Sequence, residues 1–165
     1  MNMKMTILII ACAISMNILS QDYSKLKDIN LSDSINCIKA ESKVVECCNY
    51  LLNQPCVESL QCLEAQSFII DWQIKTPSYQ FSLHNKLYKQ IVKDNNLAGR
   101  YYACLAKVAI EKKNTNDIPN VQYEAIKLFL EYCEKADSKV KVNKGLQKYI
   151  DAKNSNKLRE YIKEV

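Results

Sequence analysis

The chain has 165 residues, 23 of them basic and 18 acidic, for a net charge of +5 at neutral pH. Glycine occurs only at Gly99 and Gly145 and proline only at Pro55, Pro77 and Pro119. That is too few for a strand-rich fold, which spends glycine on turns and bulges. The charges alternate in sign instead of clustering, and even Lys139, Lys141 and Lys144 sit beside acidic neighbours, so the composition argues against a nucleic-acid reader with its basic stripe and interleaved aromatics.

The first twenty residues carry one cation, Lys4, then an apolar run from Thr6 to Leu19, then the small residue Ser20 ahead of polar Gln21 and Asp22. This is the order of a secretory signal peptide, with cleavage expected after Ser20 and a single domain over 21–165. A membrane anchor needs roughly 20 consecutive apolar residues, and Asn17 interrupts this run. Ile9-Ile10-Ala11-Cys12 also fits the pattern on which bacterial lipoproteins acylate a cysteine. The stretch after Cys12 is too apolar for the usual flexible tether, so lipidation there is the minor reading. The expected location is periplasmic or secreted. Later apolar clusters, such as Ser67–Trp72, are far shorter than a bilayer crossing.

Gln21 to Leu31 reads as a polar lead-in with one short helical turn. Ser32-Asp33 can cap a long helix running to about Asn53, with Ile35, Ile38, Val45, Cys48 and Leu52 at helical spacing and Val44 and Leu51 widening the stripe. Asn53-Gln54-Pro55 breaks it. A second helix is expected from about Val57 to Ile74, burying some of Leu60, Leu63, Ile70 and Ile74 together with Phe68 and Trp72. Tyr79, Phe81 and Leu83 alternate with polar residues and read as an extended connector that packs its rings on the helices. A short helix, about His84 to Val92, follows. Asp94-Asn95-Asn96 caps a fourth helix, about Asn96 to Lys112, with Leu97, Tyr101, Leu105 and Val108 as its stripe and Cys104 beside it. After a polar loop to Pro119, a fifth helix from about Asn120 to Ala136 buries Val121, Ala125, Leu128, Phe129 and Tyr132. Two short helices close the chain on Leu146, Tyr149 and Ile150, then Leu158, Tyr161 and Ile162. The fold class is therefore all-α, an antiparallel array or bundle of about five to seven helices. It has some likeness to a short helical repeat, although no clean internal period is present.

Seven cysteines follow the leader: Cys37, Cys47, Cys48, Cys56, Cys62, Cys104 and Cys133. An odd number leaves at least one unpaired unless a second chain supplies its partner, and each also suits a small buried apolar position. If the first two helices fold about Pro55, Cys48 and Cys62 are equidistant from the turn and make the first candidate disulfide. Cys104 and Cys133 on the next hairpin make a second. With no Cys-x-x-Cys pair and His84 the only histidine, a zinc site is not expected, and no cofactor motif occurs.

The isolated glycines exclude a phosphate cradle, and neither a Gly-x-Ser-x-Gly elbow nor a His-Glu-x-x-His helix is present. A Cys–His nucleophile would rest on His84 alone, better read as a loop or cap residue. The paired carboxylates, such as Glu41 with Glu46 or Glu131 with Glu134, fall on solvated faces. The ten tyrosines are a better clue, and Phe68, Trp72, Tyr79, Phe81, Tyr101 and Tyr102 are the candidates for lining a groove between helices. Buried rings with hydroxyls at the surface explain much of the surplus without a ligand.

The leader ending Asn17-Ile18-Leu19-Ser20-Gln21, the stretch Cys47-Cys48-Asn49-Tyr50-Leu51-Leu52-Asn53-Gln54-Pro55, the segment from Ala65 to Pro77, Leu128-Phe129-Leu130-Glu131-Tyr132-Cys133, and the closing Asn156-Lys157-Leu158-Arg159-Glu160-Tyr161-Ile162 together resemble a group of small, exported, helical and uncharacterised proteins from Bacteroidota. The resemblance implies a periplasmic or envelope location and carries over no catalytic residue. The cysteine count departs from it, which puts the disulfide role in doubt. The expectation is a non-enzymatic binding or interaction domain of the envelope. The alternative is a carrier of a small apolar ligand in a cavity lined by Phe68, Ile70, Trp72, Tyr101 and Leu105, and an enzyme built on a cleft around His84 ranks third.

Overall fold

In the computed structural model, which describes residues 23–82, 86–113 and 117–164, the helix-period segments are helices and no strand occurs among the described residues. The α-helices are α1 (Ser34–Asn53), α2 (Leu60–Lys75), α3 (Lys86–Ile91), α4 (Asn95–Lys112), α5 (Ile118–Glu134), α6 (Lys144–Asn154) and α7 (Leu158–Glu164). Short 3-10 segments occupy Tyr23–Asp28 and Ala136–Ser138. Cys12 and the whole expected signal peptide lie outside the described residues, as do Leu83 and His84.

Side-chain caps set most of the helix starts. Asp33 accepts from the Asn36 amide at 2.9 Å, Ser59 from Cys62 at 3.2 Å, Asp94 from Leu97 at 3.0 Å, Asp117 from Asn120 at 3.1 Å and Asn143 from Leu146 at 2.9 Å. Each satisfies an otherwise orphaned amide and contributes about 1 kcal/mol. The caps also explain two shifts from expectation. Ser59 delays α2 to Leu60, and Asp117 brings α5 forward to Ile118, because Pro119 is tolerated in a first turn that needs no amide partner.

Short connections make successive long helices antiparallel. Near Pro55 the Tyr50 hydroxyl donates to Gln61 Oε1 at 3.1 Å, and at the far end Trp72 Nε1 donates to the Cys37 carbonyl at 2.9 Å, so α1 and α2 lie side by side along their length. α4 is central, packed against α1, α2 and α5, and most of its residues are buried. α6 and α7 close the far side of α5, where Lys153 pairs with Glu134.

The inward faces differ from the expected stripes in α1 and α2. Ile35 and Ile38 are 63% and 53% exposed, and Leu60 and Ile74 are 72% and 76% exposed. Val44, Cys48, Leu51 and Leu52 on α1 and Phe68 and Trp72 on α2 are buried as expected, and Cys37, Ala40 and Cys47 on α1 and Cys62, Ala65 and Ile69 on α2 are buried besides. Small thiol and methyl groups thus share the buried faces with larger side chains, whereas Ile35, Ile38 and Ile74 stay exposed. The expected stripe of α4 is buried throughout, with Arg100 buried beside it. On α5, Val121, Ala125, Phe129 and Tyr132 are buried and Leu128 partly so.

The core is rich in acids held neutral. Burial pushes the thiols of Cys47 and Cys133 and the hydroxyl of Tyr149 up to about 12, and raises Cys48 and Cys104 as well. Such groups stay protonated in the folded chain at a pH where the unfolded chain releases their protons. Their contribution is full below the ordinary thiol range and is lost as pH rises from there towards about 12. The urea midpoint of unfolding should therefore hold up to about pH 8 and fall by about pH 10.5; a midpoint that holds through that range contradicts this account of the core.

Candidate functional site

The N-terminal 3-10 segment forms one wall of a cleft. Tyr23, Leu26 and Ile29 recur every third residue, the period of a 3-10 helix, so their side chains fall on one side. Tyr23 and Leu26 are buried, and the Tyr23 ring lies 4.5 Å from that of Tyr50 on α1. The segment also packs directly against α2 and leaves an open space along that contact. The space between is a cleft of about 400 Å³, within the size range of ligand pockets. Tyr23, Leu26 and Ile29 line one wall with Ser24 and Lys27. The other wall is a single face of α2, made of Leu63, Glu64, Ser67, Phe68 and Asp71.

A smaller cavity of about 230 Å³ lies between α4 and α5. Four of its six charged lining residues pair within the cavity, Lys107 with Glu111 and Lys112 with Glu124.

The six aromatic residues expected to share a groove do not share one. Only Phe68 reaches the cleft. Trp72, Tyr79 and Phe81 stack on one another, with ring centroids 5.6–6.4 Å apart, and Trp72 is closed off from solvent. The Tyr79 hydroxyl donates to Glu41 at 3.0 Å, and burial with that carboxylate pushes it up to about 12. Tyr101 is fully buried against Phe129 and Tyr88, while the Tyr102 and Tyr88 hydroxyls bond each other at 2.8 Å. These rings brace the 76–82 connector and α3 against the helices. The cavity expected around Phe68, Ile70, Trp72, Tyr101 and Leu105 is likewise solid at Trp72, Tyr101 and Leu105.

All seven described cysteines are free thiols, six buried and Cys56 partly exposed. The expected Cys48–Cys62 bridge is absent because the two face different neighbours. Cys48 looks towards Lys107 and Cys104 on α4, whereas Cys62 accepts a hydrogen bond from Arg100 at 3.5 Å. It is Cys47 that shares the surroundings of Tyr23 with Cys62, since one residue along a helix turns about 100°. The Cys104–Cys133 bridge is absent too, although these two are neighbours, and Cys48 also approaches Cys104. Protonated, enclosed thiols are poor nucleophiles. No group of three or more histidine, cysteine or carboxylate side chains placed to hold a metal occurs among the described residues, and no helix there is long and apolar enough to cross a membrane.

Compared with protein-family models, curated proteins and solved structures, the chain matches none.

The sequence reading missed this cleft because it treated 21–31 as a polar lead-in. The three-residue spacing of Tyr23, Leu26 and Ile29 was the available signal. The thiol arrangement makes a direct prediction. Brief alkylation of the native protein without reductant should modify Cys56 far ahead of the others, and alkylation after denaturation should add seven labels to the chain from Gln21 onwards. Five labels or fewer in the denatured protein would mean that bridges form after all.

Proposed function

We propose that this chain is an exported, non-enzymatic binding protein of the cell envelope, of the Bacteroidota type that its sequence resembles, and that the cleft between the Tyr23–Asp28 segment and α2 is its binding site. Export is supported by the order of Lys4, the apolar run and Ser20. The observation that carries the binding reading is the cleft itself, a 400 Å³ space with an apolar floor and charged groups along its rim. A non-enzymatic role is supported by thiols that burial keeps protonated. The leading occupant class is an apolar segment of an envelope partner. The cleft's volume favours a second reading, in which it carries a small ligand with an apolar body.

Native mass spectrometry of the mature protein from its own envelope fraction tests the proposal, with Leu63→Arg as the control. Leu63 lines the cleft and is 37% exposed, so the change fills the site with little cost to the core. Wild type should carry either a partner chain or an extra mass of a few hundred daltons lost on denaturation, and Leu63→Arg should carry neither. A bare wild-type monomer, or a bound species that Leu63→Arg retains, contradicts the assignment.

A further inference from the structure

The α2 wall of the cleft has a definite charge pattern. Glu64 and Asp71 stand two turns apart on one face, with Phe68 between them. Glu64 forms no ion pair among the described residues, and Asp71 pairs only with Lys75 at 2.8 Å, with both side chains about half exposed. A solvent-screened pair of that kind contributes little and yields readily to a competing cation. Across the cleft the one basic lining residue is Lys27, itself exposed. Two carboxylates therefore face one ammonium over an apolar floor. Of the three charged side chains that line the cleft, two are carboxylates, and Glu64 is the one without an ion-pair partner among the described residues.

From this we infer that the cleft takes a small amphiphile with a cationic amine head. Its apolar body lies against Leu26 and Phe68, its ammonium meets the Glu64 carboxylate, and Asp71 supplies a second negative charge along the same wall. A carboxylate-headed amphiphile of the same length would bring like charge to Glu64 and Asp71 and would have only Lys27 to meet. The inference rests on the second reading above, in which the cleft carries a small ligand, and adds the chemistry of that ligand's head.

Three probes of equal chain length separate the two claims: n-octylammonium, n-octanol and n-octanoate, each titrated into the isotope-labelled mature protein and followed by amide chemical shifts. Octylammonium should bind about tenfold more tightly than octanol, as expected of one charge-assisted hydrogen bond in a partly enclosed site, with octanoate weakest. The shifts should centre on Leu26, Leu63, Glu64 and Phe68. Glu64→Gln should abolish the preference for octylammonium over octanol, both measured on the same variant, and in the wild type that preference should shrink as salt is raised. Octanoate binding as tightly as octylammonium, or a preference for octylammonium unmoved by Glu64→Gln, overturns the amine head while octanol binding keeps the cleft as a site. If none of the three probes shifts the cleft residues, both claims fall.

Discussion

The C-terminal end of α1 is the point on which the rest of the molecule depends. A helix ends with carbonyls that have no intrahelical donor and a partial negative charge. Here the chain also breaks at Pro55, so the carbonyls of Leu52, Gln54 and Pro55 all need partners. Side chains from far along the sequence supply them: Lys135 Nζ donates to Leu52 at 3.1 Å, the Tyr132 hydroxyl to Gln54 at 3.0 Å, and Arg100 Nη2 to Pro55 at 2.9 Å, where the Val57 amide also donates at 2.8 Å. The Cys56 amide closes the set by donating to the Ser138 carbonyl at 2.6 Å. One turn is thus held by the start of α4 and the end of α5 at once. Arg100 is 0% exposed and makes no ion pair among the described residues, so the carbonyl end of α1 is what its charge faces. The arrangement has a cost, because Arg100 Nε and Nη1 have no partner among the described residues.

The cleft inherits its shape from that turn. Pinning 52–56 fixes where α1 stops and α2 begins, which sets Tyr50 against Gln61 and presents the Tyr50 ring to Tyr23. Tyr23 in turn seats the N-terminal segment that forms the second wall. The 3-10 segment packs on α2 as well, so both walls of the cleft rest on the α1–α2 hairpin.

Much of the architecture was legible in the sequence because it follows from local rules. Asp33 and Asp94 announced their helices, Pro55 ended α1, and the Leu97, Tyr101, Leu105 and Val108 stripe is the buried face of α4. What was illegible depended on partners distant in sequence. Nothing local distinguishes Arg100 from a solvated arginine, because its partner is a backbone carbonyl 45 residues away. The faces of α1 and α2 were legible in part: Val44, Cys48, Leu51, Leu52, Phe68 and Trp72 are buried as expected, but Ile35 and Ile38 outweigh Cys37 and Ala40 on a hydrophobic count and are nonetheless exposed. The aromatic surplus was real, but most of those rings brace the core, and the cleft lay in a segment too short to show a helical stripe.

The most direct test of this account is the equilibrium urea unfolding of Arg100→Met, which keeps the apolar stem and removes the guanidinium. Replacing a buried charge by an apolar isostere is often neutral or stabilising when its desolvation outweighs its bonds. If the guanidinium's grip on the end of α1 outweighs its two unpartnered nitrogens, the variant should lose about 2 kcal/mol, the scale of a hydrogen bond to a charged group. A variant as stable as the parent, or more so, would show that the fold does not hang on Arg100.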